Sequence, residues 1–355
     1  MIQLSRRFHL SRSISRKFRF LICLILLIIL TKLYYEYVPQ WEYDESHPEL
    51  ISTGDPDKVA IDKMCSPTSH SCYSVIDLFD KSGRVRRAIY THGFEKDFES
   101  MVALVSPKGT TSLPAKESDT RIWEVDHREI LSQYVAAMIL EPLMLAAIGI
   151  EHERDESTSL LVIGLGGGSL DMFFHKQKPK MNITVIEIDT LVNNLAHRWF
   201  GIEENEHRRT IIADGVEFMY KASIEGQKFD AVFIDACDTT REMPCPAKVF
   251  LEEKVLENAK SLLKTMGALI VNVLPLIDED ENVGKVKQKL LSKFPTCLSM
   301  VMSSELNTVF ACVNYSLEKE NRKSTYELIQ HRFQTLVLRY NLHALMKDVQ
   351  FTLLN

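Results

Sequence analysis

The sequence predicts a doubly wound α/β domain, on two observations. The apolar run Leu160-Leu161-Val162-Ile163 stops at a glycine cluster, Gly164-Leu165-Gly166-Gly167-Gly168, and a helix-compatible segment follows. Beyond it, three successive apolar strands each end in a carboxylate: Ile183–Ile186 at Glu187, Thr210–Ala213 at Asp214 and Phe229–Ile234 at Asp235. In open α/β sheets, ligands sit outside the carboxyl ends of the strands. Glycine suits the first of these turns because a side chain would block a ligand and because tight turns often need positive φ. Glu187 stands 23 residues after Gly164, close to the spacing of about 20 at which such folds place a ribose-binding carboxylate. A lone strand-end Asp is ordinarily a turn or N-cap residue. Three in register after a glycine loop point to a ligand site instead.

Taken in order, residues 1–19 form a basic tail, with Arg6, Arg7, Arg12, Arg16, Lys17 and Arg19 and no acid before residue 36. Residues 20–35 are expected to be a transmembrane signal anchor. Its continuous apolar run, Phe20–Leu30, has 11 residues, against the roughly 20 that span a hydrocarbon core. Snorkelling Arg19 and Lys32 and the cluster Tyr34, Tyr35 and Tyr37 are expected to extend it. Residues 36–57 read as a polar stalk, 58–125 as a small β-rich unit, 126–320 as the nucleotide-binding domain and 321–355 as a C-terminal helix. Within the domain, Asp126–Ile148 leads in as an amphipathic helix and Phe250–Leu263 is a second helix. Gly267–Val273 is a strand, and Leu298–Met302 with Val309–Tyr315 forms a hairpin.

A net charge of −6 gives the body of the chain no nucleic-acid footprint. Of seven cysteines, six follow the apolar run, and Cys65 with Cys72 is the expected disulfide. Free buried thiols are the alternative for Cys297 and Cys312, which lie in apolar strands. No cysteine spacing resembles a zinc site, and no metal is expected.

The glycines run G-x-G-G-G, with Ser169 and Leu170 next, whereas a dinucleotide favours G-x-G-x-x-G. Together with Asp214-Gly215 and Asp235, that pattern resembles the class I fold that binds S-adenosyl-L-methionine or its decarboxylated form; NAD ranks second. The resemblance implies a cofactor-binding set of Gly164, Gly166, Gly167, Gly168, Glu187, Asp214, Gly215 and Asp235. Glu187 would hold the ribose, Asp214 would receive the adenine amino group and the glycines would pass under the methionine part.

Residues 72–315 resemble the spermidine synthase superfamily, through the β-unit Cys72–Gly93, the glycine loop and Phe229–Asp238. The closer likeness is to the C-terminal domain of the methyltransferase-like protein 13 family. Asp126-His127, Leu131, Ser132, Tyr134, Met138, Glu187-Ile188-Asp189, Ala213-Asp214-Gly215 and Met243-Pro244-Cys245-Pro246 follow its pattern.

Two departures separate methyl transfer from aminopropyl transfer. Spermidine synthases carry an acid where this chain has Gly167, and Gln-Glu where it has Val135-Ala136 after Tyr134. An acid at 167 would repel an intact methionine carboxylate by about 4 kcal/mol at 4 Å and an effective dielectric near 20. The expected function is therefore S-adenosylmethionine-dependent methyl transfer to an amine of a protein or to a small amine. Asp235 and Asp238 are the catalytic candidates, orienting that amine. Tyr134 either lines the acceptor channel or packs in the core. Aminopropyl transfer and an inactive interaction module are the alternatives, and a homodimer stays open.

Basic charge before the apolar run and acids after it predict a single-pass type II protein of the endoplasmic reticulum or Golgi, its catalytic domain luminal. The Arg- and Ser-rich leader leaves a mitochondrial inner-membrane placement as the alternative. The family resemblance implies a translation elongation factor as acceptor, which a luminal domain would not meet.

Overall fold

Side-chain alternation builds the central layer. Leu160 and Val162 point into one apolar cluster and Leu161 and Ile163 into another, so this strand is buried on both faces, as a parallel strand between helical layers must be. The computed structural model describes residues 51–52, 54–93, 98–107, 114–317 and 322–355.

The N-terminal unit is a six-stranded sheet in sequence order: Ile51–Ser52 (β1), Lys58–Cys65 (β2), Cys72–Phe79 (β3), Val85–Thr91 (β4), Ser100–Val105 (β5) and Glu124–Asp126 (β6). All its pairings are antiparallel. Helix α1, Gln133–Met144, leads into the second sheet. That sheet is formed by Ser159–Ile163 (β7), Asn182–Glu187 (β8), Arg208–Ile212 (β9), Phe229–Ile234 (β10), Leu263–Val273 (β11), Thr296–Val301 (β12), Thr308–Val313 (β13) and Gln350–Leu354 (β14). Its order is β14-β12-β13-β11-β10-β7-β8-β9. Strands β7 to β11 pair in parallel and β12 to β14 antiparallel. The chain runs outward from β7 through β8 and β9, then returns to β10 on the other side, so the switch point lies between β7 and β10. Crevices at such points are where ligands bind.

Helices α2 (Ser169–Gln177), α3 (Thr190–Trp199), α4 (Gly215–Ile224), α5 (Glu253–Ser261), α6 (Glu279–Lys293) and α7 (Arg322–Arg339) complete the layers. Residues of α1, α2 and α7 share one core cluster, and those of α4, α5 and α6 share the other. The C-terminal segment, expected as helix alone, also supplies β14, which pairs with β12. Within α1, Glu141 is fully buried with neither carboxyl oxygen hydrogen-bonded among the described residues. Burial holds it well above the usual carboxylate range, so it enters the core as a neutral acid.

A third apolar cluster joins the β-unit to α3 through Val75, Ile89, Leu191, Leu195 and Trp199. Buried Arg87 fastens this joint. It donates to both oxygens of Asp77 at 2.8 and 2.9 Å, to the Trp199 carbonyl at 2.9 Å and to the Thr120 carbonyl at 2.9 Å. Removing one partner of such a pair strands a buried charge, at a cost of about 3–5 kcal/mol. The Trp199 indole N–H also donates to Asp62 at 2.6 Å. Disulfides Cys65–Cys72, Cys237–Cys245 and Cys297–Cys312 staple β2 to β3, close the loop after β10 and join β12 to β13. Cys297 and Cys312 are thus paired rather than free.

The membrane part of the expected architecture is corrected. The anchor at 20–35 lies outside the described residues, as do the tail 1–19 and most of the stalk. Among the described residues, no helix is long and apolar enough to cross a membrane. An apolar run of 11 residues at Phe20–Leu30 does not reach the roughly 20 a span requires. Among the described residues the fold class is the Rossmann-like sheet and its β-rich unit, without a transmembrane helix. The single-pass, type II, luminal placement and its mitochondrial alternative fall with it.

Candidate active site

One cavity of about 530 Å³ opens at the carboxyl ends of β7, β8 and β10, at the switch point. The glycine loop forms its floor. Gly164 has φ +99°, and a Cβ there would lie 2.3 Å from the Asp235 carbonyl oxygen. No other residue fits, since both the backbone conformation and the space forbid a side chain. Gly164 and Gly166 line the cavity. Gly167 and Gly168 do not: a Cβ on Gly167 would meet Phe200 at 2.7 Å, and one on Gly168 would meet Ile202 at 2.3 Å. These two glycines let the start of α2 pack closely, and the acid that spermidine synthases carry at 167 has no room here.

Glu187 ties the loop to the tip of β8. Its Oε2 accepts from the Leu165 N–H at 3.0 Å and its Oε1 from the Asp189 N–H at 2.8 Å. Burial holds its carboxyl above the usual carboxylate range, and the same two N–H groups offset part of that rise. Asp214 lines the cavity and caps α4, accepting from Val216 and Glu217 at 2.8 and 3.0 Å. Gly215 sits beside it, where a Cβ would meet Ile163 at 2.5 Å.

Asp235 begins the loop after β10 and lines the same cavity. Burial pushes its carboxyl up to about 6, against the lowering effect of the Asn272 amide, and the Glu99 charge adds to the rise. Asn272 Nδ2 donates to Asp235 Oδ1 at 2.8 Å, and Asn307 Nδ2 donates to Asn272 Oδ1 at 2.8 Å. This buried relay fixes the carboxyl's orientation. Asp238 also lines the cavity, and its Oδ1 accepts from the Thr240 N–H at 2.8 Å, so it serves the turn as well. The Cys237–Cys245 bond and the Asp238 N–H to Pro244 carbonyl bond, 2.9 Å, close that turn.

Tyr134 faces the cavity from the first turn of α1. Burial, with Asp235, Glu305 and Glu99 adding, keeps its phenol protonated well beyond the usual range. Glu305, from the β12–β13 turn, caps α1 by accepting from Ser132 Oγ and from the backbone N–H groups of Gln133 and Tyr134, all within 3.0 Å. It holds Tyr134 in place.

The structure thus brings together Gly164, Gly166, Glu187, Asp214, Gly215, Asp235, Asp238 and Tyr134, and leaves Gly167 and Gly168 behind the floor. Sequence reasoning missed Asn272, Asn307 and the whole contribution of the β-unit. Asn272 carried one signal, as an amide inside the apolar strand Gly267–Val273. Ser69, Ser71, Tyr73, Phe98, Glu99 and Ser100 carried none, yet all line the cavity. Ser66 and Ser69 donate to Asp189 at 2.9 and 2.7 Å, and Ser100 Oγ lies 3.0 Å from Ser169 Oγ, latching the unit to the glycine loop. Among the described residues, no cluster of side chains could hold a metal ion.

No family model matches the chain. It is 32% identical over 178 residues to the human "eEF1A lysine and N-terminal methyltransferase", covering 48% of this chain and 25% of that protein. The chain spans about a quarter of the length of the curated relatives it matches. A crystal structure of human methyltransferase-like protein 13 with SAH is 27% identical, covers 57% of this chain and 93% of that one, and has a TM-score of 0.49. A probable spermidine synthase from Corynebacterium glutamicum covers 76% of this chain and 86% of its own at a TM-score of 0.54 and 12% identity.

The fold is a Rossmann-like sheet preceded by an antiparallel β-unit, the architecture it shares with that spermidine synthase structure. Its features that bear on a donor are the glycine floor and the three acidic strand tips. A Cβ at Gly164 would run into the Asp235 backbone, so this part of the cavity wall carries no side chain. Glu187 offers the remaining lone pairs of an oriented carboxyl, and Asp214 does the same at the far edge. These residues fit S-adenosylmethionine.

Proposed function

We propose that the protein is an S-adenosylmethionine-dependent methyltransferase acting on an amine of a protein. One observation carries this. The cavity at the switch point is lined by seven carboxylates, those of Glu99, Asp171, Glu187, Asp189, Asp214, Asp235 and Asp238, and its described lining includes no Lys, Arg or His. Such a site favours a cationic acceptor beside the positive sulfonium of the donor. The similarity to methyltransferases named for eEF1A lysines and N-termini supports a protein amine as acceptor. An elongation factor is the acceptor class to test first, and it is another reason against a luminal domain.

When bound, S-adenosylmethionine supplies an electrophilic methyl on its sulfonium. Glu187 would hold the ribose, Asp214 the adenine amino group, and the backbone at Gly164–Gly166 the methionine end. Asp235 orients the amine, accepting a hydrogen bond from its N–H. With its carboxyl at about 6, Asp235 is ionised at neutral pH yet basic enough to draw the proton from an ammonium that is giving it up. Tyr134 and the closed turn at Asp238 shape the channel. Most of the acceleration is positional, because methyl transfer needs an unprotonated nucleophile held in line.

The test is transfer of labelled methyl to eEF1A and to cell lysate, beside decarboxylated donor with putrescine. Labelled protein is the expected product. Aminopropyl product without protein labelling would replace this function with the alternative.

A further inference from the structure

We propose that Glu99 selects the methyl acceptor: presented by the N-terminal β-unit, with Tyr73, Phe98 and Tyr134 around it, it receives the ammonium of a lysine-like amine on its way to Asp235. This rests on the methyl-transfer function above and names the element that chooses the substrate.

Glu99 lies just before β5 and lines the cavity with these three aromatic residues. Its position is built rather than incidental. The Glu99 N–H donates to the Ile89 carbonyl at 2.8 Å, and Thr91 Oγ1 donates to Glu99 Oε1 at 2.7 Å. Its negative charge opposes ionisation of Asp235, Tyr134 and Tyr73, and it shares their cavity.

Among the described residues Glu99 accepts one side-chain hydrogen bond, at Oε1, and the other cavity carboxylates are engaged as follows. Asp171 pairs with buried Arg208, Glu187 and Asp189 accept from backbone N–H groups, and Asp214 and Asp238 cap their turns. Asp235 is tied to Asn272. Spermidine synthases place Gln-Glu after the tyrosine of the approach helix, where this chain has Val135-Ala136. Glu99 supplies a carboxylate to the same cavity from a different element, with aromatic faces that favour a cation.

The test is calorimetry on the full chain with SAH bound, using N-acetyl-lysine-N′-methylamide and its uncharged norleucine counterpart. Wild type is expected to favour the lysine probe by about tenfold, the scale of a partly exposed charge-assisted hydrogen bond. Glu99→Gln should remove most of that preference and leave SAH affinity unchanged, which also reports intact folding. Thr91→Val, which keeps the charge but frees its orientation, should weaken the lysine probe about two- to threefold. Equal lysine preference in Glu99→Gln and wild type would overturn the proposal, as would a wild type that binds SAH but does not discriminate the probes. Failure of wild type to bind SAH would instead remove the methyl-transfer function on which it rests.

Discussion

The two flanks of the cavity are built on different plans. The flank we assign to the donor is made of strand tips of one sheet: the Gly164 loop, Glu187 and Asp214 stand at the ends of adjacent strands β7, β8 and β9. The flank we assign to the acceptor gathers Tyr73 and Glu99 from the β-unit, Tyr134 from α1, Asp235 and Asp238 from a disulfide-closed turn, and Asn272 from β11. One flank is fixed by backbone geometry. The other depends on side chains held by distant partners.

The largest expected effect falls on the floor. Gly164→Ala places a Cβ against the Asp235 carbonyl at φ +99° and should lower SAH affinity by more than about 100-fold. Calorimetric binding within about threefold of wild type would show that the floor tolerates bulk. Next comes Asp235→Asn, which should cut turnover by about 100-fold, in the range for a positioned proton acceptor, while sparing SAH affinity. Wild-type activity should fall as pH drops through about 6, because protonation removes the acceptor lone pair. The Asn variant should lack that limb, and a limb that persists would assign it to another group. Glu187→Ala should then weaken SAH binding by about 1.5–3 kcal/mol, with smaller change in acceptor KM. The reverse split would blur the division between flanks. Smallest is Asn272→Ala, which should lower turnover about fivefold. It should also move the pH limb upward, because the amide that favours the Asp235 carboxylate is gone. An unmoved limb would reduce Asn272 to packing.

The donor flank was legible in the sequence because its signals are local. A glycine run after an apolar strand and acids at the ends of three strands are visible within a few residues each. The acceptor flank was legible only at Asp235, Asp238 and Tyr134. Glu99 follows no motif, and nothing in its neighbourhood says that Thr91 will aim it at a cavity floored by residues more than sixty positions later. Gly167 and Gly168 illustrate the opposite case. Their motif is plain, but the sequence does not say which glycines face a ligand and which face Phe200 and Ile202. The disulfides were partly legible, with Cys65–Cys72 evident from proximity and Cys297–Cys312 only from strand register, which sets the two opposite each other. The apolar run near the start was legible as composition, and its length was the warning against a membrane span.

Strand β14 has a practical consequence. Gln350–Leu354 hydrogen-bonds along the outer side of β12, so trimming those residues would move the sheet's free edge from β14 to the buried strand β12. Bare edges template self-association. A shortened protein should therefore clump before it unfolds, and any purification handle placed after Asn355 would tug on the outermost strand.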